Sequence, residues 1–92
     1  MAKFFMYGKY SQEALKGMSA ERTKKALELI AKHGGKVSSM YAFLGKYDIA
    51  LITEFPAVAD VMKAAIALNK LTGITFTSFP AISIEEFDKI TA

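Results

Sequence analysis

Two strand-forming runs, KVSSMYAFL (Lys36–Leu44) and YDIALITEF (Tyr47–Phe55), follow one another with only Gly45-Lys46 between them. β-Branched and aromatic residues recur in both, and a glycine-first pair suits a tight antiparallel hairpin. Such a hairpin sets its own register. Leu44 faces Tyr47, Phe43 faces Asp48, Ala42 faces Ile49, Tyr41 faces Ala50, Met40 faces Leu51, Ser39 faces Ile52 and Val37 faces Glu54. Opposed residues share a side of the sheet. One side then carries Leu44, Ala42, Met40, Tyr47, Ile49 and Leu51. The other carries Phe43, Tyr41, Val37, Ala50 and Ile52, with Asp48 and Glu54 among them. A sheet wetted on one face alternates apolar with polar residues. This hairpin is apolar on both, so each side needs a cover.

The flanking segments supply one cover. KFFMYGKY (Lys3–Tyr10) reads as a first strand, and Ser11 to Gly17 as a short connection. Ser19 caps a helix over AERTKKALELIAKH. Its polar positions Glu21, Lys25, Glu28 and Lys32 oppose Thr23, Ala26, Leu27 and Ile30. Glu21–Lys25 and Glu28–Lys32 have the favourable order for i,i+4 pairs. Gly34-Gly35 stops this helix. Pro56 fits the first turn of a second helix that runs to about Leu71, and Gly73 ends it. A fourth strand follows from Ile74 to Ile82, with Pro80 restricting its end to a sheet edge. Ser83 and Glu86 form a capping box for a short terminal helix.

The order βαββαβ, with right-handed crossovers, is a ferredoxin-like α+β plait: a four-stranded antiparallel sheet with two helices on one face. At 92 residues the chain reads as one domain, residues 1–92. No helix remains for the second sheet face. The second helix also has only a narrow polar stripe, Asp60, Lys63, Asn69 and Lys70. Both features predict a homodimer in which two sheets stack into a shared dimeric α+β barrel. The high apolar share of so short a chain, 52%, agrees.

With no cysteine there is no disulfide framework or zinc–thiolate site. No apolar run reaches the roughly 20 residues of a membrane span, and MAKFFMYGKY is too short in its apolar part for a signal peptide. The expectation is a soluble, cytoplasmic protein that binds neither membrane nor nucleic acid. The net charge of +3 comes from scattered lysines with a single arginine, Arg22, which suits a solvated surface better than a phosphate-binding one.

Asp48 is the leading candidate for a functional residue. On the hairpin register it lies on the open face beside Phe43, and carboxylates are seldom buried without a purpose. It either faces a ligand, or fixes the hairpin by accepting backbone N–H bonds, or pairs with a lysine across the dimer. Tyr41 shares its face, and Tyr7 joins the candidates, although sequence does not settle the facing of the first strand. Phenols in a barrel can bind ligands or donate protons, or simply pack. Tyr41, Phe43, Asp48 and Tyr7 are thus the candidate ligand-binding set. Tyr47 is expected in the core, and Glu54 at a solvated strand end. His33, the only histidine, suits a helix C-terminus and has no second histidine with which to hold a metal or haem. Met6, Met18, Met40 and Met62 read as core fillers. No metal site and no cofactor is expected.

The GKYD of Gly45–Asp48 resembles the Gly-x-Tyr-Asp signature of the GYD-domain family, small dimeric α/β-barrel proteins. KFFMYGKYSQEALK, HGGKVSSMYAFLGKYDIALITEFP and SIEEFDKI resemble that family's first strand and turn, central hairpin and acidic-aromatic tail. Gln12-Glu13-Ala14 departs from the Gln-Gly pair usual in the early turn. Leu71–Phe79 with GKYD also resembles the effector-binding domain of feast/famine-type regulators, without a helix-turn-helix. The resemblance implies fold and dimerisation and supplies no reaction. The expected function is a homo-oligomeric small-molecule-binding or regulatory module. The alternatives are a cofactor-independent monooxygenase or isomerase, and a module that assembles into larger rings.

Overall fold

A computed structural model describes residues 1–92. The chain runs β1 (Ala2–Tyr10), α1 (Gln12–Lys16), α2 (Ala20–Lys32), β2 (Lys36–Ala42), β3 (Ile49–Phe55), α3 (Val58–Thr72), β4 (Ile74–Ala81) and α4 (Ile84–Thr91). The strands form one antiparallel sheet in the order β2-β3-β1-β4. This is the βαββαβ plait, with an additional turn of helix after β1 and a helix after β4. Pro80 lies in the edge strand β4, where its missing N–H costs the sheet least.

The helix boundaries follow side-chain chemistry. The hydroxyls of Ser11, Ser19 and Ser83 accept the N–H groups of Ala14, Arg22 and Glu86 at the starts of α1, α2 and α4. Gly34 (φ 81°) and Gly73 (φ 79°) turn the chain left-handed after α2 and α3. Pro56 lies before α3 rather than in its first turn, since Ala57 is the N-cap.

One side of the sheet holds the core. Phe4 and Met6 of β1, Leu51 and Phe55 of β3, Ile30 of α2 and Val61, Ala64 and Leu68 of α3 form a single buried cluster. Phe4 meets Phe55 edge-on, ring centroids 6.3 Å apart. Thr53 points into the same core and is fully buried; its hydroxyl donates to the Phe4 carbonyl at 3.0 Å. Ala26 and Leu29 join Ile30 in packing, while Leu27 and Thr23 are exposed, so the buried stripe of α2 lies one step round from the expected one. Of the methionines, Met6 is buried and Met40 packs on the core, but Met18 and Met62 are exposed.

The central hairpin matches the expected register from Ala42↔Ile49 to Ser39↔Ile52, departs from it past Ser39, and at the loop keeps only a single bond of the expected Phe43–Asp48 pair. A bulge at Ser38 brings Val37 opposite Thr53 and turns it to the helix side, not the open face. At the loop, the ladder stops at Ala42–Ile49, and the one bond beyond it runs from Phe43 N–H to the Asp48 carbonyl, 2.7 Å. The connection is therefore wider than Gly45-Lys46. Leu44, expected beneath the helices, is fully exposed.

Candidate functional site

The second sheet face has no helix over it, and the strand registers give its layout. Tyr7 of β1 lies between Ala50 of β3 and Thr77 of β4, and Tyr41 of β2 lies on the far side of Ala50. In the next row Phe5 lies between Ile52 and Phe79. Beyond it come Lys3, Glu54 and Lys36, with Ala81 at the β4 edge. Glu54 is thus part of a charged row that closes one end of an apolar field.

Tyr7 is the centre of this field. Its ring stacks with Phe43 at 6.3 Å, lies 5.3 Å from Tyr47 and meets Phe79 nearly edge-on at 5.9 Å. Two of the four candidate residues, Tyr7 and Phe43, are therefore in contact. Tyr41 is in the neighbouring column but stands 61% exposed and outside this aromatic contact set. Tyr47 does not enter the helix-side core. The wide loop carries it to the open face, against Tyr7, with the Lys46 ammonium 5.8 Å from its ring centroid. Phe79 is the other member that sequence reading passed over. Its strand alternates, and Phe79 falls three residues after Phe76, which packs on the core, so the opposite facing was open to inference.

Asp48 lies at the opposite end of the face from Glu54 and is tied to β1 as well as to its hairpin partner Phe43. Its N–H donates to the Gly8 carbonyl at 2.9 Å, and its carboxylate accepts the Tyr10 N–H at 2.8 Å. The Lys9 ammonium lies 3.6 Å from the same carboxylate oxygen. Burial pushes the Tyr10 phenol above its ordinary value of 10.0; the Arg22 charge opposes this and the Asp48 charge adds to it.

Apolar groups are also uncovered elsewhere. No residue of α4 is buried, and Ile84, Phe87 and Ile90 are spaced to share one side of it. A groove lined by Lys3, Glu54, Ala81, Ser83 and Glu86 joins the charged end of the open face to the start of this helix. On α3 the stripe Val58, Met62, Ile66 is exposed. No three histidine, cysteine, aspartate or glutamate side chains gather at one point, and no helix is long and apolar enough to cross a membrane.

The GYD domain family model matches residues 4–91. No curated protein matches the chain. Among solved structures, the chain is similar to the leucine response regulatory protein (LrpA) of Mycobacterium tuberculosis, with a TM-score of 0.64 at 11% identity, over 89% of this chain and 51% of that one. A glutamate-to-alanine mutant protein matches with a TM-score of 0.58, again at 11% identity, over 89% and 50%. The chain thus spans about half the length of these structures, and at this identity the likeness is one of fold.

Proposed function

The chain belongs to the GYD domain family, and from that premise we propose that it is a self-associating module that binds a small molecule beside its open sheet face. The single observation that carries this reading is the aromatic contact set of Tyr7 with Phe43, Tyr47 and Phe79 on a face that no helix of the chain covers. An apolar field of this kind is rarely left open to water and commonly marks an interaction surface. A second copy is the occupant that fits. Each end of the face carries both charge signs, Lys9 with Asp48 at one and Lys3 and Lys36 with Glu54 at the other, so a two-fold-related copy can meet each end with opposite charge. The apolar side of α4 begins beside that face and is covered in the same assembly, while the α3 stripe offers a surface for a larger ring.

In this reading Tyr7, Tyr41, Phe43 and Asp48 line the end of the shared interior where the small molecule is held. Its fold is shared with a leucine response regulatory protein, which suits a module that reports the presence of a metabolite. Sedimentation velocity of the full chain at micromolar concentration tests the assembly. The expected result is a dimer or larger species that Phe79→Lys converts to monomer with its far-ultraviolet circular dichroism intact. A wild-type monomer overturns the reading. Tyrosine fluorescence, free of tryptophan in this chain, then tests the site: a metabolite that alters it in the wild type is expected to lose its effect in Tyr7→Leu.

A further inference from the structure

On the helix side of the sheet a cavity of about 50 Å³ lies between the strands and helices α2 and α3. Its inner wall is buried: Leu51, Leu68, Thr72 and Ile74. Met18 and Thr23, also in its lining, are exposed, so the cavity opens toward the start of α2. Gly8 makes room for the strand side. A Cβ there would lie 2.6 Å from Ile49, 2.8 Å from Ile74 and 2.9 Å from Phe76, all three of which line the cavity.

Two polar groups in this largely apolar lining have no oxygen partner in the chain. Arg22, the only arginine, donates from Nη2 to the thioether of Met18 at 3.0 Å and takes part in neither ion pair. A thioether is a weak acceptor, and most of the guanidinium fork is left free. The Tyr10 hydroxyl, also in the lining, makes no hydrogen bond. Thr23 and Thr72, by contrast, spend their hydroxyls on the Ser19 and Leu68 carbonyls. The lining therefore offers a cationic fork and a phenol, with a largely apolar, buried floor of Leu51, Leu68 and Ile74.

We propose that this cavity is a binding site for a small monocarboxylate, its carboxylate on Arg22 and the Tyr10 hydroxyl and its short apolar tail against Leu51, Leu68 and Ile74. A planar guanidinium matches a carboxylate with two parallel bonds, whereas a phosphate dianion calls for further cations that the lining lacks. Size sets the tail. The cavity is about a third of the 150 Å³ that admits benzene, so a tail of about three carbons fits. This site lies across the sheet from Tyr7 and is independent of the assembly proposed above.

The test uses isobutyrate and its uncharged isostere isobutyramide, each titrated at neutral pH into the ¹⁵N-labelled full chain. The expected result is saturable amide shifts at Tyr10, Thr23 and Ile74, with isobutyrate bound at least about tenfold more tightly than the amide. Arg22→Gln removes that preference, Tyr10→Phe weakens isobutyrate about threefold, and Ala26→Leu, which fills the cavity, removes both ligands while the spectrum stays dispersed. The proposal is overturned if acid and amide bind equally, if the preference survives Arg22→Gln, if the shifts centre on Tyr7 and Tyr41 instead, or if neither compound shifts the cavity residues. Sedimentation of the same samples reports the open-face assembly separately, so failure of one reading is not failure of the other.

Discussion

The carboxylate of Asp48 accepts the backbone N–H of Tyr10 at 2.8 Å, across 38 positions of sequence. With the Asp48 N–H on the Gly8 carbonyl, the bond fastens the start of β3 to the end of β1, the central pair of the sheet. The aspartate of the GKYD motif thereby does two things. It joins the β2–β3 connection, which carries Tyr47 against Tyr7, to the end of β1, and it holds Tyr10 where its ring lines the helix-side cavity. The two sides of the sheet meet at this residue.

Removal of the carboxylate therefore destabilises the fold whatever it does to binding. Asp48→Ala is expected to cost about 2 kcal/mol, the range for a hydrogen bond to a charged acceptor, and Asp48→Asn about half of that because an amide oxygen still accepts. Lys9→Met costs less than about 0.5 kcal/mol, since the ion pair is at the surface and screened. Urea midpoints of the three variants give the ranking. Lys9→Met as costly as Asp48→Ala would place the stabilisation in the ion pair and not in the backbone tether.

The Tyr10 phenol gives a pH signature. Its pKa is raised in the folded state, by burial first, with Asp48 adding and Arg22 opposing. The folded chain therefore holds this proton more tightly than the unfolded chain. The associated stability is fully present below pH 10.0, the ordinary value, and is lost as pH rises from there through the folded-state value. Phenolate absorbance during alkaline titration is expected to show one tyrosine ionising late, and Tyr10→Phe to remove that late phase. A titration with all tyrosines alike, or a late phase that survives the substitution, is the contrary result.

Gly35 is set against Phe55, so closely that a Cβ at residue 35 would collide with the aromatic ring. That ring is fully buried and makes the edge contact with Phe4 at the centre of the core. Gly35→Ala must displace it, at an expected cost of about 1–3 kcal/mol. The double variant with Phe55→Leu, which shortens the side chain, should cost less than the sum of the two single changes. Strict additivity in denaturant titrations would show that the two residues do not share the strain.

The plait itself was legible because its signals are local: the caps Ser19 and Ser83, Gly34 and Gly73 after their helices, and alternation along the strands. The hairpin register from Ala42 to Ser39 was legible for the same reason. Its two ends were not. An extra residue at Ser38 changes no residue type in the pattern, yet it turns Val37 over. At the loop, Gly45-Lys46 has good tight-turn chemistry, yet the hairpin bonding ends at the Phe43 N–H on the Asp48 carbonyl, and Asp48 is also bonded to Gly8 and Tyr10 of another strand, which no local signal announces. Tyr47 was misplaced as a consequence. The cavity beside Arg22 was out of reach, because its parts come from β1, α2, α3 and β4 and no spacing in the sequence relates them.

The terminal helix separates folding from assembly. Ile84, Phe87 and Ile90 are exposed and no residue of α4 is buried, so the isolated fold gains little from their side chains. Phe87→Glu combined with Ile90→Glu is expected to change the stability of the monomeric Phe79→Lys chain by less than about 0.5 kcal/mol, the usual range for surface positions. In the otherwise unaltered chain the same pair of changes places charge where a second copy is proposed to cover α4, and unpaired charge is costly to bury. Sedimentation is then expected to shift toward lighter species at equal concentration. If the pair leaves the sedimentation of the assembled chain unchanged, α4 lies outside the interface; if it destabilises the monomer strongly, α4 packs on its own chain.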